Sequence, residues 1–465
     1  MLFSSITFIY YFLPLVFLLY FVAPRPWKNG LLLLSSLFFY FSGEPRYTIL
    51  LIISSLAGYF HGLLIEKYRG TKIAKGALIS ALAVNLIILG FFKYYDFFIT
   101  SVNSMLGSNM AILRLSLPIG ISFYTFQTMS YIIDLYKGKI KAQKNPISFS
   151  SYVALFPQLV AGPIVRYETV ARELEQRRHT FADFASGIKR FSIGLGKKVL
   201  IANALGELNV LAMETGEPSM LFYWLGAIAF ALQIYFDFSG YSDMAIGLGR
   251  CFGFHYLENF DYPYISRTIT EFWRRWHISL GSWFREYVYI PLGGNRVGKL
   301  KWVRNILIVW FLTGFWHGAS WNFIIWGLYF GALLMMEKAF LASFLKKIPR
   351  FFSHTYVLFL IVISFVIFNV DGMTDVVIYV KGMFGGLPVT NSLSLYYLKS
   401  YAVIIVVAAF CATPILKNWF EKASTKPLIA KALTIAEPAF CIAILLLVTG
   451  YLLDSSFNPF LYFRF

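Results

Sequence analysis

A chain that enters hydrocarbon must satisfy its own backbone hydrogen bonds, so long apolar runs joined by short basic loops restrict the fold to a bundle of helices. Twelve such runs recur along the 465 residues. They are Leu2–Val22, Gly30–Phe41, Tyr47–Ile65, Ala77–Phe92, Ile112–Leu135, Ile188–Met213, Met220–Phe238, Val303–Trp316, Phe323–Phe340, Tyr356–Phe368, Tyr401–Ala412 and Leu428–Leu453. A hydrocarbon layer of about 30 Å takes about 20 helical residues. The longer runs meet that length, and the shorter ones require burial among neighbours. Charged residues make up 14% of the chain, against about 25% in soluble domains. Soluble, disordered, collagen-like and disulfide-scaffold classes are thereby excluded. The fold expected is an all-α polytopic membrane protein of about 11–12 transmembrane helices with re-entrant and interfacial segments.

Breakers qualify the simplest picture. Pro118 with Gly120, and Gly194 with Gly196, interrupt two of the runs, and broken helices are tolerated inside a bundle or beside a cavity. Phe149–Val165 holds Pro157, Gly162 and Pro163, and Ser239–Gly253 holds Asp243 and four glycines. Both are expected as re-entrant or surface segments on the cytoplasmic side. Between Asn259 and Arg304 cations alternate with Trp273, Trp276, Trp283 and Phe284, the composition of helices lying in a membrane interface. The chain carries 41 Lys and Arg against 23 Asp and Glu, a formal +18. These cations cluster in alternate loops, where they set orientation and meet anionic lipid; no nucleic-acid motif accompanies them. Arg25, Lys67, Lys137, Lys346 and Lys417 then share the cytoplasmic face, and both termini point outward. The first charge is Arg25, so the leading run reads as a permanent span rather than a cleaved signal. Cys251, Cys411 and Cys441 stand singly in apolar surroundings and read as packing residues.

Ionisable groups at membrane depth mark functional sites by default. His317 lies in Phe315-Trp316-His317-Gly318, between two apolar runs, and a neutral imidazole there exchanges a proton near neutral pH. Gly314 and Gly318 leave room for a substrate on this reading, and Trp316 and Trp321 exclude water. A histidine hydrogen-bonded between packed helices is the other reading. His277 ends Glu271-Phe272-Trp273-Arg274-Arg275-Trp276-His277, whose helical spacing puts Trp273, Trp276 and His277 on one face. Arg274 and Arg275 then face head groups or an anionic substrate; an interfacial aromatic belt is the alternative. Asp237 and Asp243 either pair with Arg274 or Arg275 or orient a catalytic group, and Arg285 beside Glu286 carries the same ambiguity. No His, Cys or carboxylate cluster has metal-ligand spacing, and no Gly-x-Ser-x-Gly elbow occurs.

Taken in order, several motifs resemble the membrane-bound O-acyltransferase superfamily, most closely its bacterial alginate O-acetylation branch. They are Leu117-Pro118-Ile119-Gly120-Ile121-Ser122-Phe123-Tyr124, Phe156-Pro157-Gln158-Leu159-Val160-Ala161-Gly162-Pro163, Tyr235-Phe236-Asp237-Phe238-Ser239-Gly240-Tyr241-Ser242-Asp243, Phe272-Trp273-Arg274-Arg275-Trp276-His277, Tyr289-Ile290-Pro291-Leu292-Gly293-Gly294 and Gly314-Phe315-Trp316-His317-Gly318. The resemblance covers almost the whole chain. It implies one domain, 1–465, with peripheral helices over about 1–110, a catalytic core over about 111–345 and C-terminal helices with an aromatic tail over about 346–465.

The resemblance further implies helices around a central funnel in a bacterial cytoplasmic membrane. It makes His317 the site of chemistry and His277 the second histidine, with Arg274, Arg275, Arg285, Asp237, Asp243, Trp316 and Asn322 as donor-binding or supporting residues. The implied donor is a cytoplasmic thioester, acetyl-CoA, with no tightly bound cofactor and no metal. The implied partners are an extracytoplasmic SGNH-type protein and an exported polysaccharide. The tail Phe460-Leu461-Tyr462-Phe463-Arg464-Phe465 resembles one whose tyrosine carries the acyl group, which makes Tyr462 a relay; an interfacial anchor has the same composition. Two other readings stand beside this one: a teichoic acid D-alanyl transferase fed by a carrier protein, and a transporter or scaffold of a polysaccharide-export complex.

Overall fold

The computed structural model describes residues 1–454 and 460–461. Among them the regular structure is helical, with no strand. Among the described residues seven helices are long and apolar enough to cross a membrane: Thr48–Lys67, Lys72–Leu106, Met220–Cys251, Trp321–Lys347, Arg350–Asn369, Ser392–Cys411 and Pro427–Asp454. The remaining apolar runs form shorter helices, such as Lys28–Phe41 and Ile121–Tyr136, or the 19-residue helix Lys299–His317, which opens on Lys299, Lys301 and Arg304. Large apolar side chains such as Val403, Val406 and Leu446 stand exposed on the late helices. An apolar surface of that kind belongs against lipid.

The chain divides into two compact units, Met1–Phe191 with Met244–Leu257 and Ser192–Asp243 with Glu258–Phe465. In the first, Thr48–Lys67, Lys72–Leu106 and Ile121–Tyr136 pack on one another, and Lys28–Phe41 packs on Pro146–Ala154. The rings of Phe3, Phe8, Phe12, Phe39 and Phe156 form one cluster, with centroids 4.8–6.4 Å apart.

Three expectations change here, and a fourth is narrowed. The run Ile112–Leu135 is not one span: the helix begins at Ile121. The backbone N–H groups of Leu113 and Leu115 donate to the Asp96 carboxylate (2.8 and 3.1 Å) and so leave no helical ladder there. Ser239–Gly253 is not re-entrant but continues the helix Met220–Cys251. Its glycines serve close approach, since a Cβ on Gly247 would sit 2.6 Å from the Gly187 carbonyl oxygen. Gly194 and Gly196 do not break their helix either. The path from Phe181 to Met213 stays helical through a π-helical stretch, Lys197–Ala202, which absorbs the irregularity as one wide turn. Phe149–Val165 is broken as expected, into Pro146–Ala154 and Phe156–Leu159, but it is buried rather than superficial.

The second unit is organised around the hairpin Lys299–His317 and Trp321–Met336. Its two backbones nearly touch at Gly314 and Gly327: a Cβ on Gly327 would fall on the Trp310 carbonyl oxygen, and one on Gly314 on that of Phe323. Small residues permit this approach between membrane helices. Gly314 and Gly318 therefore make room for a neighbouring helix, not for a substrate; a Cβ on Gly318 would overlap the Phe323 ring. Around the hairpin a continuous core joins Phe230, Phe272, Trp276, Trp310, Trp326 and Phe365.

Gly327→Val should prevent stable accumulation of the protein in the membrane, since overpacking a core costs about 1–3 kcal/mol or more when backbone must shift. Gly216→Ala, at a site with open space around it, should accumulate as wild type on immunoblots of membrane fractions.

Candidate active site

The helix carrying His317 ends on that residue. Gly318 is fully extended (φ −164°, ψ 156°), and the chain re-enters helix at Trp321. His317 is 3% exposed. Its ring lies 5.0 Å from Trp316, 5.0 Å from Trp326 and 5.3 Å from Phe368, each edge to face. The imidazole is thus enclosed by aromatic carbon contributed by both arms of the hairpin and by Arg350–Asn369. Asn322, also buried, fixes the last wall: its Nδ2 donates to the carbonyls of Ile367 (3.3 Å) and Val370 (3.4 Å), bracketing Phe368.

His277 does not share a helical face with Trp273 and Trp276. The helix Ile269–Arg275 stops before it, and Trp276 is extended. His277 takes a left-handed backbone (φ 44°) at the head of Ile278–Phe284. A non-glycine residue there is strained and persists only where its surroundings determine it. They do so through Asn259, whose side-chain amide oxygen Oδ1 accepts the Ser279 N–H (3.2 Å) and Ser279 Oγ–H (2.9 Å). His277 Nδ1 lies 3.2 Å from the same oxygen. Because the Ser279 N–H can only donate, that Asn259 atom is an acceptor. With the proton on Nδ1, His277 donates to the same oxygen and keeps its lone pair on Nε2; Ser279 Oγ lies 3.4 Å from Nδ1 as well. Burial pushes the imidazole down to about 3, so it stays neutral at physiological pH. Its ring meets Phe238 edge-on at 4.6 Å and Trp316 at 6.0 Å. The fold thus brings the rings of both histidines against one indole, Trp316.

Beside this cluster lies a buried charge pair. Lys198 Nζ is 2.5 Å from the Asp237 carboxylate, and both side chains are at most 5% exposed. The other oxygen of Asp237 accepts the Leu461 N–H (2.9 Å). Phe460 packs on Phe238 (5.9 Å) and Tyr241 (4.8 Å). Part of the C-terminal tail is therefore held in the core next to His277; Tyr462 lies outside the described residues.

Residues 139–374 match the membrane-bound O-acyltransferase family. The chain is 38% identical to the probable alginate O-acetylase AlgI of Azotobacter vinelandii, over the full length of both. It belongs to the membrane-bound O-acyltransferase family. The peptidoglycan O-acetyltransferase of Helicobacter pylori is 34% identical over 98% of this chain and 90% of its own. The teichoic acid D-alanyltransferase of Bacillus subtilis is 32% identical over 48% of this chain and 59% of its own.

Other expected residues of this acyltransferase sit elsewhere. Asp237 and Asp243 pair not with Arg274 or Arg275 but with Lys198 and Lys197, the latter at 2.7 Å. Consecutive lysines in the π-helical turn reach both carboxylates, whereas Arg275 is taken by Asp261 (2.9 Å) and Glu271 (3.1 Å). Arg274 and Arg285 are exposed. Two buried anchors escape the sequence reading. Asn259 is one. Glu337 is the other: its carboxylate accepts Ile269 N–H (2.5 Å), Thr270 N–H (2.9 Å) and Thr270 Oγ–H (2.8 Å), fastening the head of the Ile269–Arg275 helix. A carboxylate at the end of an apolar run was the available signal for Glu337. Asn259 offers none, because a single asparagine in a polar stretch is commonplace.

Asp237→Asn should destabilise the protein by about 3–5 kcal/mol, because Lys198 then keeps its charge in a buried site. The double variant Asp237→Leu/Lys198→Met should regain most of the loss in thermal unfolding. The depressed His277 has its own signature. Its folded value lies below the ordinary one of about 6.5, so the unfolded chain binds the proton more readily, and stability falls as pH drops below 6.5 toward 3. His277→Gln should lack that component in unfolding scans between pH 7.5 and 5.

Proposed function

We propose that this membrane-bound O-acyltransferase carries acetyl groups from acetyl-CoA on the cytoplasmic side across the membrane, for O-acetylation of an exported or cell-wall polysaccharide. The observation that carries the reading is His317, a buried imidazole at a helix end inside an aromatic enclosure. The full-length similarity to relatives named as O-acetylating enzymes supports the acetyl group and the polysaccharide. Similarity to the D-alanyltransferase spans only half of the chain, so the acetyl branch is favoured.

In this mechanism His317 takes the proton of the acceptor hydroxyl as its oxygen attacks the thioester carbonyl. The carbon–oxygen ester bond forms, the carbon–sulfur bond breaks, and the imidazolium returns the proton to the departing thiolate. The aromatic enclosure supplies a dry environment in which a positioned base acts without competition from water. His277, held neutral and with its tautomer set by Asn259, orients a donor group instead of exchanging protons with it. The C-terminal tail completes the path: Tyr462 supplies that acceptor hydroxyl at the outer face, and a hydroxyl of an SGNH-type partner then takes the acetyl group from the tyrosyl ester, its proton returning to the Tyr462 oxygen. On this reading the protein sits in a bacterial cytoplasmic membrane, with both termini outside.

His317→Ala should lower acetyl transfer from [14C]acetyl-CoA, in membranes supplied with the partner and glycan, by about 10²–10⁴-fold. The variant should still accumulate in the membrane. Wild-type transfer by a normally accumulating His317→Ala protein would overturn the assignment, and labelling from a D-alanyl carrier protein instead would move the chain to the other branch.

A further inference from the structure

The first unit holds a cavity of about 1360 Å³ outside the histidine cluster, between the first helix, the head of Lys28–Phe41, residues 143–148 and residues 172–179. Five cations line it: Arg25, Lys28, Arg172, Arg177 and Arg178. Glu175 is the one carboxylate among the described residues of its lining. Among the described residues none of the five cations has a carboxylate within 4 Å. Neighbouring Glu173 is committed to His255, accepting its backbone N–H (3.0 Å) and meeting Nδ1 at 2.7 Å.

Two of the five cations are held in place, while Arg25, Arg172 and Arg178 are exposed. Arg177 is fixed by Tyr20 Oη (3.0 Å), Asn29 Oδ1 (2.7 Å) and the Glu173 carbonyl (3.3 Å), and Lys28 Nζ lies 4.6 Å over the Tyr20 ring. Burial, then Arg177 and Arg25, lower the Lys28 ammonium from its ordinary value. Burial, then Lys28 and Arg177, lower His179 on the same wall. Like charges thus crowd one another around a space in which, among the described residues, Glu175 is the one lining carboxylate and pairs with none of them. Leu19, Leu31, Leu33 and Ile147 give the lining an apolar part, beside the polar Asn29, Ser35, Gln143, Asn145, Ser148 and Gln176. Leu34 and Trp27 on the rim stand 71% and 72% exposed, as side chains do at a membrane interface.

We infer that this cavity binds an acidic phospholipid, its phosphate held by Lys28, Arg177 and Arg178 and its acyl chains running along the leucine wall. A phosphodiester relieves the crowding of the cations, and two acyl chains match an apolar wall that opens onto lipid-facing side chains. A free phosphate or a nucleotide shares the anionic chemistry but leaves the leucines without a ligand.

The test uses the full-length protein purified in detergent and titrated with phosphatidylglycerol, with phosphatidylcholine of the same chains, with inorganic phosphate and with coenzyme A, followed by native mass spectrometry and melting temperature. Phosphatidylglycerol should remain bound and raise the melting temperature, and phosphatidylcholine should do neither. Each surface cation contributes about fivefold in affinity for anionic lipid, so Lys28→Gln/Arg178→Gln should weaken phosphatidylglycerol binding about 25-fold while the lipid-free melting temperature stays unchanged. Should that variant fail to accumulate, Arg25→Gln on an exposed side chain should show the single loss of about fivefold. Equal retention of the two lipids, undiminished binding by the variants, or displacement of phosphatidylglycerol by phosphate or coenzyme A would overturn the inference.

Discussion

The second unit depends on the contact of two glycine backbones at Gly314 and Gly327. Without water to drive helices together, membrane helices associate through close packing, and here the absence of side chains lets the hairpin close. That closure sets Trp326 and Trp316 against the ring of His317 and brings Trp310, edge to face with Trp273, into the same core. A wider hairpin would leave the imidazole at a helix end with nothing to hold its orientation.

The polar groups that hold this site in place follow one rule: each is fastened to a partner within the protein. Glu337 takes up the N–H groups that open one helix, Asn322 bridges two carbonyls at the end of another, and Asn259 gathers three donors around His277. Leaving such groups unpaired in hydrocarbon costs several kcal/mol each, roughly the scale of a whole domain's stability. The buried Lys198–Asp237 pair obeys the same rule and also ties down Leu461, so one carboxylate links the core of the unit to the chain's end.

Much of the site was legible because its residues are conspicuous. A histidine between apolar runs, and another closing a tryptophan- and arginine-rich segment, are costly at membrane depth without a purpose. The partners were not legible. Arg274 and Arg275 were plausible mates for Asp237 and Asp243 by charge alone. The choice fell to Lys197 and Lys198 because a π-helical turn, invisible in apolar periodicity, aims both lysines at one helix. Glycines misled in the same way: Gly247 and Gly314 read as breaks or as open space, but they are points of closest approach.

Apolar run length against bilayer thickness, together with the order of motifs along the chain, was enough by itself to establish a helical membrane protein of this family and to single out His317 and His277. These are properties of composition and spacing, which local physics enforces wherever the chain folds. The neutral tautomer of His277, the enclosure of His317, the pairing of the lysines and the seating of Leu461 were decided only by tertiary structure. Each depends on groups far apart in sequence meeting within hydrogen-bond or ring-contact distance, and spacing along the chain carries no record of such meetings.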